Sequence, residues 1–134
     1  MKRTFTQVFL LLWLTLFTLV AYANVQGDAL AAARNAIRSG SSRDLAQFFA
    51  PTVELGFDGD KQSYSATQAE FVMKDFFAKN AGTGFDYIHT GASTDGVPYA
   101  IGKYAGKSGS FRVFVKMKAV GGTPKIDTIE FTKE

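Results

Sequence analysis

From Gly84 onward the chain offers almost nothing but strand, and that half dictates the architecture. Residues 85–92, 97–105, 110–120 and 125–132 are dense in β-branched and aromatic side chains, which fit a pleated, half-buried surface. Turn clusters at 93–96, 106–109 and 121–124 separate them. Connections this short leave no room for a crossover, so consecutive strands pair antiparallel. In the segment 110–120, Phe111, Val113, Val115 and Met117 alternate with Arg112, Phe114, Lys116 and Lys118. A period of two turns one set inward and leaves the other face carrying charge.

The preceding half is mainly helical. Residues 28–39 are alanine-rich, with Leu30, Ala33 and Ile37 at helical spacing, and Gly40 ends the run. Ser41 and Ser42 offer an N-cap for a short helix over 44–49, closed by Ala50-Pro51. A strand at 53–57, an Asp58-Gly59 turn and a return strand at 60–65 read as a hairpin. Thr67 and Glu70 form a capping box for a helix over 68–80, whose apolar face is Ala69, Val72, Met73, Phe76 and Phe77. The order predicts an α+β fold, with N-terminal helices packed in the concave face of a strongly curved antiparallel sheet of about six strands.

The N-terminus reads as a secretory leader. Lys2 and Arg3 precede an apolar run at 8–20, and Ala21-Tyr22-Ala23 supplies a small-residue cleavage site. Residues 1–23 are therefore expected to be removed between Ala23 and Asn24, leaving a single domain over 24–134 in the periplasm or outside the cell. The run of 13 residues is shorter than the roughly 20 a spanning helix needs, so no membrane span is expected in the mature form. Without the leader, Lys+Arg falls from 15 to 13 against 12 Asp+Glu, a net charge of +1. That balance gives no reason to expect nucleic acid as a partner. With 0 cysteines, a domain in an oxidising compartment has to rely on packing, and ten of its 13 phenylalanines lie beyond the leader.

Chemistry-bearing residues are sparse. His89 is the lone histidine, and strict alternation puts it on the face of Phe85 and Tyr87. It could serve as a general base, but a single histidine without cysteine or a fixed acid makes no metal site or triad. Asp58-Gly59-Asp60 fails the calcium-loop spacing, since Ser63 and Ala69 stand where Gly and Glu belong. Arg112, in an otherwise apolar strand, is a candidate clamp for a carboxylate or a stem covering apolar surface. Tyr64, Tyr87, Tyr99 and Tyr104 are pocket candidates. Neither a nucleophile motif nor a phosphate loop is present. No cofactor or metal is expected.

At motif level the chain resembles a small exported bacterial family, domain of unknown function 4783. The residues that carry the likeness are Leu45-Ala46-Gln47-Phe48-Phe49, Val53-Glu54-Leu55, Tyr99-Ala100-Ile101-Gly102 and Phe111-Arg112-Val113-Phe114 with Lys118. The element order resembles the nuclear transport factor 2-like, or cystatin-like, cone. The resemblance implies a fold and a compartment rather than a reaction. The expected function is that of a non-enzymatic accessory domain. It would hold a small apolar or amphipathic ligand, or an envelope protein, through a cone pocket or open sheet face. Tyr87, His89, Tyr99 and Arg112 are its candidate ligand-binding residues. The alternatives are a cofactor-free isomerase or dehydratase with His89 as acid-base group and a tyrosine as donor, and a homodimeric assembly module.

Overall fold

The structure is a computed structural model and describes residues 29–134. The expected leader and its cleavage point at Ala23 and Asn24 lie outside the described residues. Helix α1 covers residues 29–39 of the described chain. It buries Leu30, Ala33, Ala36 and Ile37. Its end is a Schellman motif: the Gly40 N–H donates to the Ile37 carbonyl and the Ser41 N–H to the Ala36 carbonyl.

Helix α2, Ser42–Ala46, is capped by the Ser41 hydroxyl, which accepts from the Asp44 N–H at 3.1 Å. It is shorter than the expected 44–49, because strand β1, Phe49–Phe57, already begins at Phe49. The cause is tertiary. The Ile126 N–H donates to the Phe48 carbonyl at 2.6 Å, and Phe49 pairs with Ile126. That pairing draws the chain out of helix where local propensity would have continued it. Pro51 falls where the β1 register is interrupted, so its missing N–H breaks no ladder bond there.

The β1–β2 hairpin forms as expected, with Asp58 at φ 53 and Gly59 at φ 88 in the turn and β2 at Asp60–Ser65. Helix α3, Ala66–Lys79, starts two residues before the predicted boundary. Its capping box is Ser65 with Gln68, not Thr67 with Glu70. The Ser65 hydroxyl accepts from the Gln68 N–H at 3.2 Å, and the Gln68 side chain accepts from the Ser65 N–H at 3.1 Å. Both tetrapeptides fit the pattern; the one adjoining the end of β2 is used.

Strands β3 (Gly82–Ala92), β4 (Pro98–Gly106), β5 (Gly109–Val120) and β6 (Thr123–Lys133) complete a six-stranded sheet in the order β2-β1-β6-β5-β4-β3. All neighbours are antiparallel except β1 and β6, which run parallel. Helices α1 and α3 cover one face. That face contributes Leu55, Ala100, Tyr104, Phe111, Val113, Val115, Ile129 and Phe131 to the core. Phe76 of α3 sits at its centre, with ring centroids 4.3 Å from Phe131, 5.3 Å from Phe57 and 5.4 Å from Phe111. Among the described residues no polar or charged residue is buried, and no helix is long and apolar enough to cross a membrane.

The two candidate caps separate cleanly by mutation. Ser65→Ala should cost about 1 kcal/mol in urea unfolding, whereas Thr67→Ala should cost only a few tenths at most. Equal losses would show that the cap had been misplaced.

Candidate functional site

Strand β3 decides which residues share a face. Phe85 pairs with Tyr104 and Tyr87 with Gly102, both on the helix-covered side. The register then slips: His89, not Ile88, pairs with Ile101. Ile88 is the extra residue of a β-bulge, which re-aims side chains by inserting one position into the alternation. Strict alternation placed His89 with Phe85 and Tyr87; the bulge moves it to the open face of the sheet. There the His89 imidazole meets the Tyr99 hydroxyl through Nε2 at 3.2 Å, and both side chains stand in solvent-accessible positions. The Tyr99 ring lies over Gly91 of β3, where an added Cβ would come within 2.7 Å of the phenol oxygen. Only glycine leaves room for that ring.

The open face carries a groove of about 480 Å³. Ile101 and Phe114, cross-strand partners on β4 and β5, form its floor. Ile88, 71% exposed because the bulge turns it out, forms one wall. Arg112, Glu130 and Thr132 line the other side. Glu130 is held by Lys61 at 2.6 Å, and that hydrogen-bonded ion pair raises the Lys61 pKa. Other charges on this face are also paired, Lys103 with Glu134 at 3.5 Å and Lys118 with Asp127 at 3.5 Å. Among the described residues no carboxylate lies within 4.0 Å of the Arg112 guanidinium.

Of the residues singled out from sequence, His89, Tyr99 and Arg112 therefore share the open face, and Tyr87 does not. The Tyr87 hydroxyl donates to the Leu30 carbonyl at 2.7 Å beneath α1, and its ring packs edge-on against Phe85 at 5.6 Å. Burial pushes its phenol far above the ordinary value, with Arg34 opposing. Arg38 completes the anchoring of α1 by donating from Nε to the Phe85 carbonyl at 2.9 Å. The four tyrosines do not line one pocket. Tyr104 is 1% exposed in the core and donates to the Asn80 carbonyl at 2.6 Å. Tyr64 borders a second, shallower groove of about 410 Å³ at the hairpin end of α3. Phe57, Phe76 and Phe111 floor that groove, and the Asp75–Lys79 ion pair lies on its rim.

Ile88, Ile101, Phe114 and Glu130 were not anticipated as site residues. Phe114 carried a signal, since alternation placed it on the charged face with Arg112. Ile88 carried none, because nothing local marks the bulge.

The raised Tyr87 phenol has a consequence at alkaline pH. Only the unfolded chain releases that proton near the ordinary value of 10.0, so stability falls as pH rises past that point. Tyr87→Phe should lose about 1 kcal/mol at neutral pH with the Leu30 bond. It should also lose less stability than wild type between about pH 9 and about pH 11, read from urea midpoints. Parallel curves would place Tyr87 in contact with water.

Comparison with known proteins agrees with the fold. The chain superposes on a crystal structure of a DUF4783 family protein from Bacteroides ovatus with a TM-score of 0.74 and 32% identity, over 78% of this chain and 94% of that one. An NTF2-like protein of unknown function from Shewanella baltica matches with a TM-score of 0.63 at 12% identity, over 86% and 95%. A protein of unknown function with a cystatin-like fold from Nostoc punctiforme matches with a TM-score of 0.63 at 9% identity, over 80% and 86%. These last two likenesses bear on fold alone. No curated protein matches the chain. The profile of the domain of unknown function DUF4783 matches residues 30–132, and the chain belongs to that family.

Proposed function

We propose that the chain is an exported binding domain rather than an enzyme, and that it works through the groove on the open face of its sheet. One observation carries this reading: the β3 bulge sets Ile88, 71% exposed, beside an apolar floor and an arginine without a carboxylate. The groove combines an apolar floor with a charged rim, the pairing of surfaces that suits an amphipathic molecule. Its volume of about 480 Å³ falls within the range of small-ligand sites. Three of the four residues expected from sequence, His89, Tyr99 and Arg112, stand on the same face, and Arg112 lines the groove itself.

The contact between His89 and Tyr99 at 3.2 Å favours a second reading, acid-base catalysis with His89 as base and Tyr99 as donor. Its weakness is physical. The pair is open to water, where a developing charge gains little from fixed dipoles. Sheet-to-sheet pairing of two copies would cover the same face, and the solution mass at high protein concentration separates that reading from a monomeric binder.

A screen of small amphipathic molecules against isotopically labelled protein tests the main proposal. Amide shifts should cluster at Ile88, Ile101, Arg112 and Phe114, and Ile88→Asp should weaken the hits about tenfold while leaving the fold intact. Shifts confined to Phe57, Tyr64 and Phe111, or a screen with no hits, would overturn the assignment of the open face.

A further inference from the structure

We infer that the open-face groove takes a small molecule with an apolar body and a single carboxylate. This inference rests on the groove being the working surface. The carboxylate would sit on Arg112, and the body would lie over Phe114 and Ile101 against Ile88. A guanidinium presents paired N–H donors in a rigid fork that matches a carboxylate, and its apolar surroundings favour a ligand that is oily elsewhere.

What keeps Arg112 available is an arrangement two strands away. Glu130 lies diagonally across from Arg112, since Arg112 pairs with Thr132 and Phe114 with Glu130. It is the carboxylate of the groove lining, yet it is turned to Lys61 at 2.6 Å. Lys61 is on β2 and Glu130 on β6, so the two belong to strands that are not neighbours: β1 runs between them. They meet over Gly56, which pairs with Lys61 on one side and Glu130 on the other. An added Cβ at Gly56 would come within 3.2 Å of the Lys61 Cγ and 3.3 Å of the Glu130 Cγ. The missing side chain lets the ion pair span the strand. Lys61 thereby acts as a positioning residue: it holds Glu130 away from Arg112 and neutralises the one acid of the groove lining.

The proposal fits a monoanion better than a dianion. Arg112 is the one cation of the lining, and the next strand's Lys103 is already paired with Glu134 at 3.5 Å. Lys116, also without a carboxylate among the described residues, lies on the same face but outside the lining.

Octanoate and octanol, titrated into the full protein and followed by amide shifts, test the inference. Octanoate should bind with shifts at Ile88, Ile101 and Phe114. Octanol, or octanoate with Arg112→Met, should bind about ten- to a hundredfold more weakly. Lys61→Met should weaken octanoate several-fold and leave octanol unchanged, a signature that loss of folding would not give. Arg112→Lys should recover part of the affinity. Equal affinities for octanoate and octanol would overturn the carboxylate assignment while leaving the groove as a binding surface. Absence of shifts at these residues with either probe would overturn the groove itself. Binding of an acidic extended peptide but not of octanoate would replace the small molecule by a protein partner.

Discussion

The packing of Phe76 against the sheet is the interaction on which the other features depend. Its ring lies 4.3 Å from Phe131, 5.4 Å from Phe111 and 5.3 Å from Phe57, so one side chain of α3 ties β6, β5 and β1 to the helix layer. A chain without cysteine has no covalent cross-link to constrain its unfolded state, and its stability rests on contacts of this kind. A filled interior also has a functional corollary. The face under the helices is occupied by Tyr104, Phe111, Val113 and Phe131, which leaves the opposite face as the larger surface on which residues can be varied without disturbing the core.

That open face gets its character from two departures from regular sheet. The bulge at Ile88 reverses the side on which His89 stands and adds an exposed isoleucine to the floor made by Ile101 and Phe114. The glycine at position 56 lets Lys61 and Glu130 meet across an intervening strand. Each departure is small, one inserted residue and one absent side chain. Together they leave Arg112 beside an apolar floor, with the acid of the groove lining, Glu130, paired to Lys61.

Much of the scaffold was legible before the structure. The alternation in β5 separated Phe111, Val113, Val115 and Met117 from Arg112, Phe114, Lys116 and Lys118, and the structure buries the first set. The apolar face of α3 was read correctly at Ala69, Met73, Phe76 and Phe77. The misplaced boundaries have different causes. The α2 end was set by tertiary pairing, which drew Phe49 to Ile126, whereas the α3 cap was a choice between two overlapping local boxes, of which Ser65 with Gln68, at the expected end of β2, is the one used. The candidate site was legible as a set of residue types, since His89, Tyr99 and Arg112 do share a face. It was not legible as a place, because Tyr87 and His89 separate only once β3 is aligned on β4.

The sequence by itself determined the class of elements, their order, the antiparallel run from β3 to β6 and the inner face of β5. Periodicity and turn chemistry act within a few residues of each other, so they are written into each segment. The tertiary structure alone decided that β6 returns parallel beside β1, that His89 and Ile88 face outward, and that Lys61 reaches Glu130 over Gly56. Those outcomes depend on register between strands, and for the parallel pairing of β1 with β6 and the reach of Lys61 the strands are distant in the chain. A shift of one residue exchanges the faces of a strand, and no local pattern in β3 distinguishes the bulged register from the regular one.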